Sequence, residues 1–118
     1  PDRFSLRTDL GATAFRFETG FATLEDTAGR SAAQITGGSL AVNFSAREFA
    51  TTLGLMHPAT GSVTLSRSGR LTDDGMFAAR DAQGVVAGAV STDGSQVGYL
   101  FQQLTPQGTL SGLTQWRR

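Results

Sequence analysis

Large apolar residues recur at every second position in several short segments of the chain. In Leu40-Ala-Val-Asn-Phe44, the residues Leu40, Val42 and Phe44 share one face and Ala41, Asn43 and Ser45 the other, the pattern of a half-buried strand. After Ser45-Ala-Arg-Glu48, the residues Phe49, Thr51, Leu53 and Leu55 repeat it, so two strands and a turn predict a hairpin. Ser45-x-x-Glu48 also matches a helix capping box, with Phe49 and Leu53 at helical spacing. The pair Thr51-Thr52 and Gly54 oppose a helix interior, and the strand reading prevails.

Turn signals then come at short intervals: Ala59-Thr-Gly61, Asp73-Asp-Gly75, Asp81-Ala-Gln-Gly84, Asp93-Gly94 and Thr105-Pro-Gln-Gly108. Each is expected to supply the positive φ of a tight turn. Between them lie short predicted strands at Ser62 to Ser66, Arg70 to Thr72, Met76 to Arg80, Val85 to Ser91, Gln96 to Gln103 and Thr109 to Trp116. In the front third Phe4 and Leu6 alternate, as do Phe15, Phe17 and, after an expected bend at Gly20, Ala22 and Leu24. Residues 26–38 read as a long loop or a single helical turn. Short strands without intervening helices predict an all-β fold, an antiparallel meander closed into a small, roughly eight-stranded β-barrel that removes its own edges. Glycines four apart (Gly84 and Gly88, Gly94 and Gly98, Gly108 and Gly112) fit this, since glycine in a strand permits sharp coiling or the close approach of another backbone.

Composition agrees with the pattern. Gly, Ala, Ser and Thr supply 55 of 118 residues, and Gly and Thr, at 15 each, are poor helix formers. The size suits a single domain spanning 1–118, and the abrupt start at PDRFSLR reads as a module excised from a larger protein. Ten Arg, no Lys and ten acidic residues give zero net charge, which argues against nucleic acid as a partner. No run approaches the ~18 apolar residues of a spanning helix. Cysteine is absent, so disulfides, thiolate metal sites and a cysteine nucleophile are excluded.

Candidate chemistry is sparse. The one histidine, His57, precedes Pro58 at a strand end, where a surface or turn role is expected, and no second histidine exists for a zinc triad. Asp73-Asp74-Gly75 and Asp93-Gly94 lack the full calcium-loop pattern and read as turns. Phosphate loops, nucleophile elbows and dinucleotide fingerprints are missing. The expectation is therefore no catalytic residue, no metal and no cofactor. Binding residues are sought instead among aromatic and arginine side chains: Tyr99 and Trp116 in the last two strands, and a basic cluster of Arg67, Arg70 and Arg80. The competing expectation for Tyr99 and Trp116 is core packing.

Gly38-Ser-Leu-Ala-Val-Asn-Phe44 followed by Ala46-Arg-Glu-Phe-Ala-Thr-Thr-Leu53 resembles the strand-turn-strand of the eight-stranded barrels in transferrin-binding-protein-B-like surface lipoproteins. Val86-Ala-Gly-Ala-Val90 and Gly98-Tyr-Leu-Phe101 resemble their closing strands, and Ser111-Gly-Leu-Thr-Gln-Trp116 is similar to the end of the C-terminal barrel of FecR-domain envelope proteins. The resemblance spans residues 36 to 116. It implies a non-catalytic module of the bacterial cell envelope, periplasmic or at the cell surface, that serves protein interaction or scaffolding. A protein partner is expected, as is a dimer if a strand edge stays unpaired. The alternative is a lipocalin-like carrier holding a small apolar ligand in the barrel lumen. The inward set read from the alternation is Leu40, Val42, Phe44, Phe49, Leu53, Val63, Leu65, Phe77 and Phe101, enough to fill such a lumen.

Overall fold

In the computed structural model, which describes residues 11–91 and 93–118, each strand turns back on the one before it. The strands are β1 (Ala12–Asp26), β2 (Gly29–Asn43), β3 (Glu48–His57), β4 (Gly61–Arg70), β5 (Met76–Asp81), β6 (Gly84–Val90), β7 (Gln96–Thr105) and β8 (Gly108–Arg117). All pairings are antiparallel, and β1 also pairs with β8, which gives the order β4-β3-β2-β1-β8-β7-β6-β5. The meander thus curls into a nearly closed eight-stranded β-barrel. At the seam, β4 and β5 are joined by a single bridge, Leu71 to Phe77. No helix of the described residues is long and apolar enough to cross a membrane.

The alternation of the sequence decides which side chains fill the barrel. Leu40, Val42, Phe44, Phe49, Leu53, Leu65, Phe77 and Phe101 are all buried, with Val63 packed at the margin. Phe15, Leu24, Leu55, Val86, Val97, Tyr99, Leu110 and Trp116 complete the interior. The rings interlock: Phe49 and Phe77 lie 4.4 Å apart, Phe77 meets Tyr99 edge-on at 6.4 Å, and Tyr99 stacks on Trp116 at 5.9 Å.

Room for these rings comes from glycines placed opposite them. Phe49 faces Gly69, Tyr99 faces Gly88 and Phe101 faces Gly112 across neighbouring strands. A side chain on Gly88 would run into Tyr99, and one on Gly112 into the carbonyl of Phe21. The glycine spacing seen in the sequence therefore marks strands that coil tightly around bulky neighbours.

Three expectations need correction. Residues 26–38 form neither a loop nor a helical turn: Asp26 ends β1, Thr27-Ala28 make the turn, and Gly29 already begins β2. The Asp26 carboxylate caps the Ala28 N–H at 2.8 Å, and Gly29 takes a φ of 129°. Most side chains from Gly29 to Ser39 are exposed, with only Ala33 and Ile35 packed against the core, so this part of β2 is held mainly by its ladders to β1 and β3. Next, the irregularity in β1 falls between Phe17 and Thr19, where the register against β8 slips and swaps the inward set from Phe15 and Phe17 to Ala22 and Leu24. Finally, Ser62 to Ser66 and Arg70 to Thr72 are not two strands, because β4 runs unbroken from Gly61 to Arg70. The alternation at Phe4 and Leu6 lies outside the described residues.

The segment with the capping-box pattern is a turn, in which Arg47 adopts a φ of 58° and Asn43 Oδ1 accepts from the Ala46 N–H at 3.0 Å. At the expected turns, Gly61, Gly75, Gly94 and Gly108 have positive φ, but Gly84 does not. There the Asp81 carboxylate closes the turn by accepting from the N–H groups of Gln83 and Gly84. In the β6–β7 turn, Asp93 accepts from Ser95 Oγ at 2.6 Å, Ser95 N–H at 3.0 Å and Ser91 Oγ at 2.8 Å. These hydrogen bonds hold its carboxyl down from 3.8 to about 2. A depressed folded-state pKa stabilises the fold above the unfolded value and loses that contribution as pH falls. Urea unfolding is therefore expected to show the native protein weakening between pH 3.8 and about 2, and Asp93→Asn weakening less over the same interval.

Candidate interaction surface

The three arginines read as one cluster do not form one. Arg67 follows Val63 and Leu65 on the inward face of β4, and its side chain is only 8% exposed. Its guanidinium reaches across the seam to Asp81 Oδ1 at 3.2 Å and Gln103 Oε1 at 3.0 Å, and Nη1 donates to the Ser66 carbonyl at 2.8 Å. Continuing the register of the Leu71–Phe77 bridge sets Arg67 opposite Asp81, so this ion pair latches the seam where the backbone ladder is missing. Nε of Arg67 is buried without a partner among the described residues. Asp81→Asn keeps the turn-capping oxygen but strips the counter-charge from a buried guanidinium. It is expected to lower stability by about 2 kcal/mol, read from the urea midpoint. Arg70 and Arg80 point outward on either side of the seam, and neither forms an ion pair among the described residues.

Tyr99 and Trp116 belong to the core and present nothing to a partner, which corrects their candidacy as surface anchors. Thr51 Oγ1 donates to the Ser39 carbonyl at 2.9 Å, so the Tyr99 hydroxyl, 2.9 Å away, is the donor to Thr51. Burial pushes the Tyr99 phenol above its usual value, against the opposing hydrogen bonds of Thr51 and Thr114. Trp116 Nε1 donates to Thr114 Oγ1 at 2.8 Å.

His57 is buried at the end of β3, not at the surface, and Nε2 lies 2.7 Å from Ser31 Oγ. The pair has the outline of a nucleophile and its base. However, Nδ1 accepts the Ala59 N–H at 3.0 Å, so a neutral imidazole carries its proton on Nε2 and donates to Ser31. In that tautomer Nε2 has no lone pair for the serine proton, and among the described residues no carboxylate orients the ring. Among the described residues no three His, Asp or Glu side chains gather as metal ligands. Asp73 pairs with Arg47, and Asp74 accepts from Thr72.

A further candidate surface lies on the outer wall. Phe21 is 60% exposed, Leu100 59% and Met76 51%. The registers put Ala78 beside Ala87, Ala87 beside Leu100, Leu100 beside Leu113 and Leu113 beside Phe21, a single apolar row crossing five strands. A groove of about 750 Å³ runs along one side of this ridge, lined by Met76, Ala89, Gly98 and Arg70. Another of about 490 Å³ runs along the other, lined by Val85, Gln102, Ser111 and Arg80. A contiguous apolar ridge on an otherwise polar wall is the usual mark of a contact surface. The signal was present in β7, where Leu100 and Leu104 fall out of phase with the inward Val97, Tyr99 and Phe101.

No protein-family model matches the chain, and no curated protein does. Among solved structures, one described as "The Siderocalin Ex-FABP functions through dual ligand specificities" is similar over 92% of this chain and 72% of its own, at 13% identity and a TM-score of 0.40. A likeness of that degree carries no functional argument.

Proposed function

We propose that this domain is a non-catalytic interaction or scaffold module of a bacterial envelope or surface protein. The observation that supports it most is the interior, packed with Trp116, Tyr99 and interlocked phenylalanines, beside an outer wall that exposes an apolar ridge. A carrier needs the reverse arrangement, an open lumen and a polar exterior. Placement in the envelope rests on the resemblance of residues 36 to 116 to surface lipoprotein barrels. The same reading makes the edge of β4 from Gly61 to Ser66, beyond the Arg67–Asp81 latch, the place where a second copy would add a strand.

Native mass spectrometry of the purified domain, with titration of an environment-sensitive apolar dye, separates the module from the carrier. No co-purifying small molecule and no saturable dye binding are the expected results. A stoichiometric bound ligand would favour the carrier. Sedimentation over a range of concentrations tests the β4 edge.

A further inference from the structure

We infer that the ridge from Ala78 to Phe21 docks a polypeptide segment whose apolar side chains are flanked by carboxylates. The inference rests on the interaction-module reading and names its surface and the chemistry of its partner. Outward positions on β5, β6, β7 and β8 carry only two charges, Arg80 and Arg117, and no carboxylate. Arg117 is paired with Glu18 at 3.0 Å, whereas Arg80 forms no ion pair among the described residues. Arg80 lines the same groove as Phe21, Leu100 and Leu113, so an apolar floor ends at a cation with no ion-pair partner among the described residues. A ligand matching both features brings an apolar group and a carboxylate side by side.

The shape selects the kind of ligand. Both grooves are open troughs on a convex wall and would leave a fatty acid largely in water, whereas small ligands are bound by burial of most of their surface. On the same face of a second copy the carboxylates, Glu18 and Glu25 of β1, are already paired with Arg117 and Arg30, so a two-fold pairing of this surface leaves Arg80 unanswered. A membrane would gain little from two arginines, Arg70 and Arg80, on a chain of zero net charge. A polypeptide can place apolar side chains in both grooves, astride the Leu100–Leu113 ridge, and carry the acid on the same segment.

The test uses two short amphipathic peptides, identical except that glutamates beside a pair of leucines in one are glutamines in the other. Binding is followed through the methyl signals of Leu100, Leu113 and Met76. The acidic peptide is expected to shift these signals and to bind about fivefold more tightly than its neutral twin, in the range of an exposed charge pair. Arg80→Gln should abolish that difference while leaving the neutral peptide's affinity unchanged. Leu100→Asp, at an exposed position that leaves the core intact, should abolish binding of both. Equal affinity of the two peptides, shifts confined to another face, or a response to anionic phospholipid vesicles alone would overturn the inference. A natural partner that binds the Arg80→Gln, Leu100→Asp protein undiminished would remove this surface and leave the module reading standing.

Discussion

Trp116→Ala is expected to lower the stability of the domain by about 4 kcal/mol, the middle of the range for emptying a core aromatic site. The indole is fully buried between Tyr99, stacked at 5.9 Å, and Phe17, edge-on at 5.5 Å. Truncation removes both contacts and deprives the Thr114 hydroxyl of its donor. In a domain of ordinary stability that is a third or more of the total, and it should lower the melting temperature by about 15 °C. Far-UV circular dichroism is the readout, because the only tryptophan is the residue removed. Trp116→Phe, which keeps a ring against Tyr99, should recover about half the loss. A Trp116→Ala protein as stable as the parent would mean that the ring does not hold the barrel together and that its earlier candidacy as a contact deserves revival.

The strands read correctly were those with one dry face. Leu40, Val42 and Phe44, then Phe49, Leu53 and Leu55, alternate because every second side chain enters the core. From Gly29 to Thr36 no side chain of β2 is fully buried and only Ala33 and Ile35 pack against the core, so its extended form comes mainly from pairing with β1 and β3, a partnership that the local pattern encodes weakly. The slip between Phe17 and Thr19 was equally hidden, since it shifts the phase without any residue of unusual type, whereas the slip between Ile35 and Gly37 falls at a glycine with a φ of 152°.

The surface was less legible than the fold for a related reason. Phe21, Leu100 and Leu113 come from three strands, two of them at opposite ends of the chain, and only the β1–β8 and β7–β8 registers make them neighbours. Arg67 offered a local clue, as it continues the inward phase of Val63 and Leu65. That clue identifies an interior arginine only once those two are known to face inward.

Gly112→Ala and Gly88→Ala are each expected to lower stability by about 3 kcal/mol or more, whereas Gly98→Ala should change it by less than about 0.5 kcal/mol. The three glycines come from the same spaced pattern, and their difference is one of direction. A Cβ on Gly112 would lie 2.0 Å from the Phe21 carbonyl oxygen and 2.9 Å from the Phe101 ring. One on Gly88 would lie 2.1 Å from the Gly98 carbonyl oxygen and 2.5 Å from Tyr99 Cβ. The obstacles include the backbone of the adjoining strand, so relief requires uncoiling the sheet and not merely rotating a side chain. Gly98 faces outward, where an added methyl would meet only the Thr114 carbonyl at 3.8 Å. Urea unfolding of the three variants, with the parent as reference, checks the ordering. Equal stability of Gly112→Ala and Gly98→Ala would show that the strands can relax at no cost, and that close coiling around Tyr99 and Phe101 is not what closes the barrel.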